Sequence, residues 1–222
     1  MKKLCFFSFV ISGVLLLQSC NKEDSWKEFN VEYEKKEEFV QKEGVENKFK
    51  ISYPFFKDYP ELNKIVMDKI ENEKKYIKDA DGIIEHDISF GEVRSSGRYI
   101  GFMLTVFTLF EGAAHPQTIM VCVNYDTKEK KEVTLKDVLS PLSKDYLKIL
   151  SEFTYKELTG RVERDELASS DDFIAEGTDM IESNFSLFNL KGKEIIIVFA
   201  QYQVAPYSSG ISEVNVPLAI FK

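Results

Sequence analysis

The spacing of apolar residues changes period several times along this chain, and each change predicts an element. Phe29, Val31 and Tyr33 alternate with polar residues, as do Phe49, Ile51 and Tyr53, and a period of two is that of a half-buried strand. The charged segment Glu34 to Lys48 between them reads as a turn region, and Pro54 and Pro60 bracket an aromatic loop. Leu62, Ile65, Val66, Ile70 and Ile77 then recur at helical spacing, with lysines and acids on the opposite face. This predicts a helix from Pro60, whose missing amide hydrogen is harmless in a first turn, to about Asp81-Gly82.

The strongest strand signal follows. Ile100, Phe102, Leu104, Val106 and Phe110 fall on one face, with Gly101, Met103, Thr105, Phe107 and Leu109 on the other, so this strand is covered on both sides for part of its length. Ile119 to Tyr125 pairs with it, and Lys131 to Leu135 follows a turn at Asp126-Thr127. A second helix runs from about Ser143 to Leu158 and stops at Gly160, with Tyr146, Leu147, Leu150, Phe153 and Leu158 as its apolar stripe. Ser169-Ser170 before Asp171-Asp172 reads as the start of a short helix, with acids at the positive end of its dipole. Strands are then expected over Asn184 to Leu190, Glu194 to Val204 and Val214 to Phe221. Strand runs with separated helices and no βαβ rhythm predict an α+β fold, a mainly antiparallel sheet packed against two principal helices.

Upstream of these elements, Lys2 and Lys3 precede an apolar run from Leu4 to Leu17 broken only by Ser8, Ser12 and Gly13. That layout is a secretory signal, too short to span a bilayer. Leu17-Gln18-Ser19-Cys20 resembles the lipobox of bacterial lipoproteins, in which the chain is cut before the cysteine and acyl chains are attached to it. Several chains on one residue give stable anchoring where one gives reversible binding. The predicted organisation is a signal peptide over 1–19, a lipidated Cys20 with a tether to residue 28 and one domain over 29–222. Trp26 is the first residue large enough to dock. The short run Lys22-Glu23-Asp24 resembles an export signal to the outer surface, so the chain is expected outside the cytoplasm at the outer membrane.

Charge and cysteine content narrow the partners. Removing Lys2 and Lys3 from 29 basic residues, against 37 acidic ones, leaves a mature chain near −10 with no basic cluster. Nucleic acid is excluded, since phosphate binding needs concentrated Lys and Arg, while a cationic protein is favoured. Cys122 is the cysteine left once Cys5 and Cys20 are accounted for, so no internal disulfide is expected and Cys122 reads as a small buried hydrophobe. The chain has two histidines, His86 and His115, and lacks HExxH, paired CxxC, GxSxG and a phosphate-cradling glycine loop. The expectation is a protein without catalytic residues, metal or other cofactor.

Glu111-Gly112-Ala113-Ala114-His115-Pro116 joins two strong strands through small residues, a histidine and a proline. It resembles the glycine-glycine-alanine-histidine segment of the RsiV/PdaC-type extracytoplasmic domain, with Ala113 where that family often has glycine. The likeness continues in Tyr53-Pro54, Thr134-Leu135-Lys136-Asp137, Phe188-Asn189-Leu190, the run Tyr202 to Gly210, and Val216-Pro217. The resemblance implies an α+β domain outside the cytoplasmic membrane, which binds lysozyme in RsiV and accompanies a peptidoglycan deacetylase in PdaC-like proteins. Neither a cytosolic segment nor a deacetylase unit is expected beside it. The resulting expectation is a lipid-anchored binding module for a lysozyme-like protein or cell-wall glycan, with Glu111, Gly112, His115, Tyr202 and Tyr207 as candidate contacts. For His115 two roles stand open, ligand contact or a bond that holds the loop. A peptidoglycan hydrolase or deacetylase-related enzyme and a structural envelope lipoprotein are the alternatives.

Overall fold

The structure, a computed structural model, describes residues 26–45 and 48–221. The leader Met1–Ser19, Cys20 and the first tether residues lie outside the described residues. No described helix is long and apolar enough to cross a membrane.

The predicted α+β architecture is observed as two sheets. A seven-stranded sheet has the order β1-β2-β3-β5-β6-β7, with β4 also paired to β5, and a three-stranded sheet has the order β10-β9-β8. In the first, β1 (Glu34–Gln41), β2 (Lys48–Phe55), β3 (Ile83–Phe90), β4 (Arg94–Ser96), β5 (Tyr99–Phe110), β6 (Gln117–Asp126) and β7 (Lys131–Glu132) pair antiparallel except where β3 runs parallel to β2. That parallel step is bridged by α1 (Pro60–Asp79), which lays Leu62, Val66, Ile70 and Ile77 on the sheet. Phe49, Ile51, Phe102 and Leu104 meet it from below. Each such side chain, buried, stabilises the fold by about 2 kcal/mol. Lys42 closes the helix C-terminus, its Nζ donating to the carbonyls of Ile77, Lys78 and Ala80 at 2.7–2.9 Å, where a cation also complements the dipole.

The three-stranded sheet, β8 (Phe188–Lys191), β9 (Glu194–Phe199) and β10 (Ser212–Pro217), carries a second core with α3 (Tyr146–Glu163) and α4 (Asp171–Gly177). Its other face meets β5: Met103 packs on Ile196 and Val198. The two-sided burial predicted for β5 thus arises between α1 and the second sheet. Two large apolar clusters, one under each sheet, make up most of the interior.

Several boundaries depart from expectation for local reasons. Phe29 to Tyr33 forms no ladder. Phe29 instead donates its amide hydrogen to Ser95 Oγ at 2.7 Å and accepts from the same hydroxyl at 2.6 Å, a strap whose Trp26 stacks on Tyr99 at 5.8 Å. The strand lies in Glu34–Gln41, expected as a turn, because an edge strand needs only backbone partners and its charges stay in water, which also discourages pairing with other chains. β7 is two residues long because Thr134 begins α2 (Leu135–Leu139): Thr134 and Asp137 form a reciprocal capping box. α3 passes through Gly160, since continuing one more turn packs Val162 on the core, and it ends at Glu163, two residues before Asp165, whose φ is +58°. β8 starts late because a 3-10 turn occupies Glu182–Phe185. β9 ends at Phe199, where a loop with its own hydrogen bonds takes over, and β10 ends at Pro217, which cannot donate to a ladder.

Candidate functional site

The loop Glu111 to Pro116 closes the β5–β6 hairpin, and the loop Ala200 to Ile211 joins β9 to β10. The fold brings them together. The exposed His115 ring stacks on Tyr207, with centroids 4.0 Å apart and planes at 27°. Tyr207 Oη donates to the Pro116 carbonyl at 2.9 Å, tying one loop to the other across 91 residues of sequence. Tyr202 leans on the same ring at 5.6 Å and is 58% exposed. Three aromatic rings therefore form one ledge, apolar on their faces and polar at their edges. His115 Nδ1 also lies 3.1 Å from the Pro116 carbonyl, so the histidine both holds its loop and presents a face to solvent.

Tyr202 sits at φ +67°, a left-handed conformation that costs a side-chain-bearing residue energy and persists only where its surroundings impose it. Those surroundings are visible. Gln203 Oε1 accepts from the Ala200 amide at 3.1 Å, and its Nε2 donates to the carbonyls of Gly177 at 3.2 Å and Asn184 at 2.8 Å. Val204 and Ala205 are buried, Ser169 Oγ donates to the Val204 carbonyl at 2.6 Å, and Ser209 Oγ donates to Ala168 at 2.9 Å. Gly177 lets the loop approach: a Cβ there would lie 2.1 Å from the Gln203 carbonyl oxygen. The parts that Gln203, Ser169 and Gly177 play in seating this loop went unnoticed in the sequence. Gln203 stood inside a quoted motif, but its partners are 19 and 26 residues away.

Of the other candidates, Glu111 and Gly112 open the same hairpin loop. The Glu111 amide donates to Gly82, and Gly112 supplies a φ of +75° with open space around it. They shape the loop, and the rings provide the surface. Asp171 and Asp172 occupy the first turn of α4, whose N-cap Ser170 accepts from Phe173, as expected. Cys122 is partly buried, short of the full burial expected, and packs beside Met103, Ile196 and Val198, where desolvation pushes its thiol up to about 12. His86, the second histidine, is fully buried between α1 and the sheet. Its Nδ1 pairs with Thr108 Oγ1 at 2.9 Å, its Nε2 has no partner among the described residues, and Glu73 stands 3.9 Å away. Burial lowers its pKa, with Asp87 opposing, and burial raises that of Glu73. Among the described residues no three His, Cys, Asp or Glu side chains are grouped as a metal-ligand set.

Residues 136–219 match the model of a family of unknown function, DUF3298, a stretch that runs from α2 past the end of β10 and includes one wall of the ledge. The chain is also similar to the peptidoglycan-N-acetylmuramic acid deacetylase PdaC of Bacillus subtilis (strain 168), 26% identical over 189 residues, or 81% of this chain. The chain spans about 39% of the length of that relative. Two solved structures share the fold. One is a DUF3298 family protein of Pseudomonas aeruginosa PAO1, with a TM-score of 0.60 at 19% identity, covering 86% of this chain and 91% of that one. The other is a family member from Bacteroides fragilis NCTC 9343, with a TM-score of 0.55 at 14% identity, covering 88% and 92%. The PdaC likeness corrects one expectation. A chain set apart from enzymes by its residue inventory is similar to a protein named as an enzyme. An inventory of motifs is a poor guide here because it tests for known site patterns and is silent on any other arrangement.

Proposed function

We propose that this chain works at peptidoglycan, with the ledge of His115, Tyr207 and Tyr202 receiving the glycan, in the service of wall chemistry of the kind named for its relative. The carrying observation is that an exposed tyrosine is held in a strained conformation beside two other rings by a network of buried partners. Such strain persists because the surrounding loop imposes it, and strained positions of this kind cluster at functional sites. A sugar ring offers apolar C–H faces to the ring faces and hydroxyls to the ring edges, which matches an amphipathic aromatic surface. Acyl chains on Cys20 would hold the chain at the envelope, outside the cytoplasm, where the wall is. The formal charge of −8 favours a cationic lysozyme-like protein as a second partner, in line with the RsiV side of the resemblance.

The test is co-sedimentation of the full chain with purified peptidoglycan, with released acetate measured in the same tubes. Tyr202→Ala and His115→Ala should each weaken sedimentation by about tenfold, the loss of roughly 1.4 kcal/mol of contact. Undiminished sedimentation of both variants would remove the ledge from the interaction. Added cationic lysozyme should compete only if it shares the ledge.

A further inference from the structure

The strap that precedes β1 is seated at a fixed point of the fold. Trp26 stacks on Tyr99 with ring centroids 5.8 Å apart, the Gly97 amide donates to the Lys27 carbonyl at 3.0 Å, and Phe29 is bonded twice to Ser95. All three contacts fall on β4, β5 and the turn between them. Two further turns lie against that one. The Thr127 amide of the β6–β7 turn donates to the Arg98 carbonyl at 2.9 Å, and the Gly192 carbonyl of the β8–β9 turn accepts from Ser96 Oγ. We propose that this end of the molecule rests on anionic lipid headgroups of the membrane that holds Cys20, with the ledge at the far end of β5 facing away.

Charge sets this end apart. Residues 26–28, 97–98, 127–131 and 191–193 contain seven bases and two acids, a local excess of +5 (7 − 2) on a chain whose formal charge is −8. The bases are all exposed. Arg98 pairs with Asp126 at 2.8 Å and Lys130 with Glu61 at 3.1 Å, while Lys27, Lys128, Lys131, Lys191 and Lys193 enter no ion pair among the described residues. Of the other acids that flank them, Glu132 is taken by Lys69 at 2.9 Å, and Glu194 is half-buried in β9. No stretch of sequence shows the patch, because four separate segments supply it. Lysines near a bilayer are drawn to anionic headgroups, and tryptophan is enriched at the interface. Trp26, the one tryptophan of the chain, stands among these lysines.

Chain length supplies a second, independent observation. Cys20 precedes Trp26 by six residues, and six residues reach about 20 Å at full extension. Acylation of Cys20 therefore keeps the Trp26 end within that distance of the bilayer, whichever way the domain leans. The ledge lies at the opposite end. β5 runs twelve residues from Tyr99, under the strap, to Phe110, where the ledge loop begins, about 35 Å of strand. With the lysines on the headgroups, the domain stands upright and the ledge is carried clear of the lipid, open to a glycan strand. The inference rests on the anchor reading of Cys20 and, beyond it, on the strap and the three turns.

The acylated full chain in vesicles that contain headgroup-spin-labelled lipid tests it, since Trp26 alone supplies tryptophan emission. In phosphatidylglycerol vesicles Trp26 should be quenched. Trp26→Phe combined with Ala113→Trp moves the reporter to an exposed position of the ledge loop, and its emission should survive. Neutralising two exposed lysines, Lys191→Gln with Lys193→Gln, should lower the ratio of quenched to unquenched Trp26 by about thirtyfold. Phosphatidylcholine in place of phosphatidylglycerol should lower it at least as far. Trp26 left unquenched, equal quenching of both reporters, or indifference to the lysines and to lipid charge would each overturn the proposal. Flotation reads the anchor separately: a chain that does not rise with the vesicles overturns the reading of Cys20 and the proposal with it, whereas one that rises with Trp26 unquenched overturns the orientation alone.

Discussion

Between α1 and the seven-stranded sheet the packing is apolar from Phe49 to Tyr125, with His86 buried in it, whereas the ground between that sheet and the three-stranded one sets buried amides beside a small apolar patch of Met103, Ile196 and Val198. There Asn124 and Asn189 are buried with three amide atoms left unpaired among the described residues, and the ledge joins loops of the two sheets. The first region resembles a sealed core, whose worth is stability. The second tolerates unpaired groups and a strained tyrosine, costs that a region kept only for stability would have shed. Placement of binding features on loops held by a rigid scaffold follows the same logic.

Glycine substitutions should separate the regions most sharply. At Gly177 an added methyl group meets the Gln203 carbonyl at 2.1 Å and Val204 at 2.7 Å, backbone and core together, so Gly177→Ala should destabilise by about 3 kcal/mol and release the ledge loop. At Gly101 the same change meets the amide ends of Asn124 and Asn189 at 2.8 and 2.9 Å, side-chain tips that can give, and the cost should be about 1–2 kcal/mol. Chemical denaturation checks both. If Gly177→Ala proved as stable as the wild type and still sedimented with peptidoglycan, the loop would not be seated as described.

A smaller effect comes from the sealed side. His86 is neutral in the fold, its pKa lowered by burial from the ordinary 6.5. The unfolded ring takes up a proton as pH drops below about 6.5 while the folded ring does not, so stability is complete above that value and is lost as pH falls toward the depressed folded one. Glu73 acts with the opposite sign: its raised carboxyl protonates in the fold before the unfolded value of 4.5 is reached, and this stabilises at lower pH. Denaturation midpoints measured from pH 8 to pH 5 should therefore decline, and decline further in Glu73→Gln, which removes the compensating group. A flat profile in both proteins would mean that His86 titrates alike folded and unfolded.

The two regions also differ in how far the sequence revealed them. α1, β2, β5 and β6 carry long apolar series with a clear period, and their existence was legible. β1 was not, because only Val40 of its eight residues is buried and an edge strand leaves no apolar alternation to read. β3 and β4 escaped as well, the former carrying His86 and Asp87 among its apolar residues. α2 was announced by Thr134 and Asp137 three apart, a signal noticed for its likeness and not for its capping geometry. Both ledge loops were picked out as segments, yet nothing local places His115 against Tyr207, since that contact depends on how β5–β6 stacks beside β9–β10.

The finest test of the contrast lies in Tyr202 itself. Glycine adopts φ +67° without steric penalty, so Tyr202→Gly removes strain, while the ring it deletes is exposed and adds little to the core. Relief of a left-handed residue is worth about 1–2 kcal/mol, and the extra freedom glycine gives the unfolded chain returns up to about 1 kcal/mol of it. The net change should be near zero or slightly stabilising, in contrast to the loss expected at any buried aromatic of the sealed region. Sedimentation with peptidoglycan should nevertheless fall as it does for Tyr202→Ala. A variant that is no less stable and binds less would show that the tyrosine is held there for its surface. A clear loss of stability would mean instead that its ring, leaning on Tyr207, is part of what holds the two loops together.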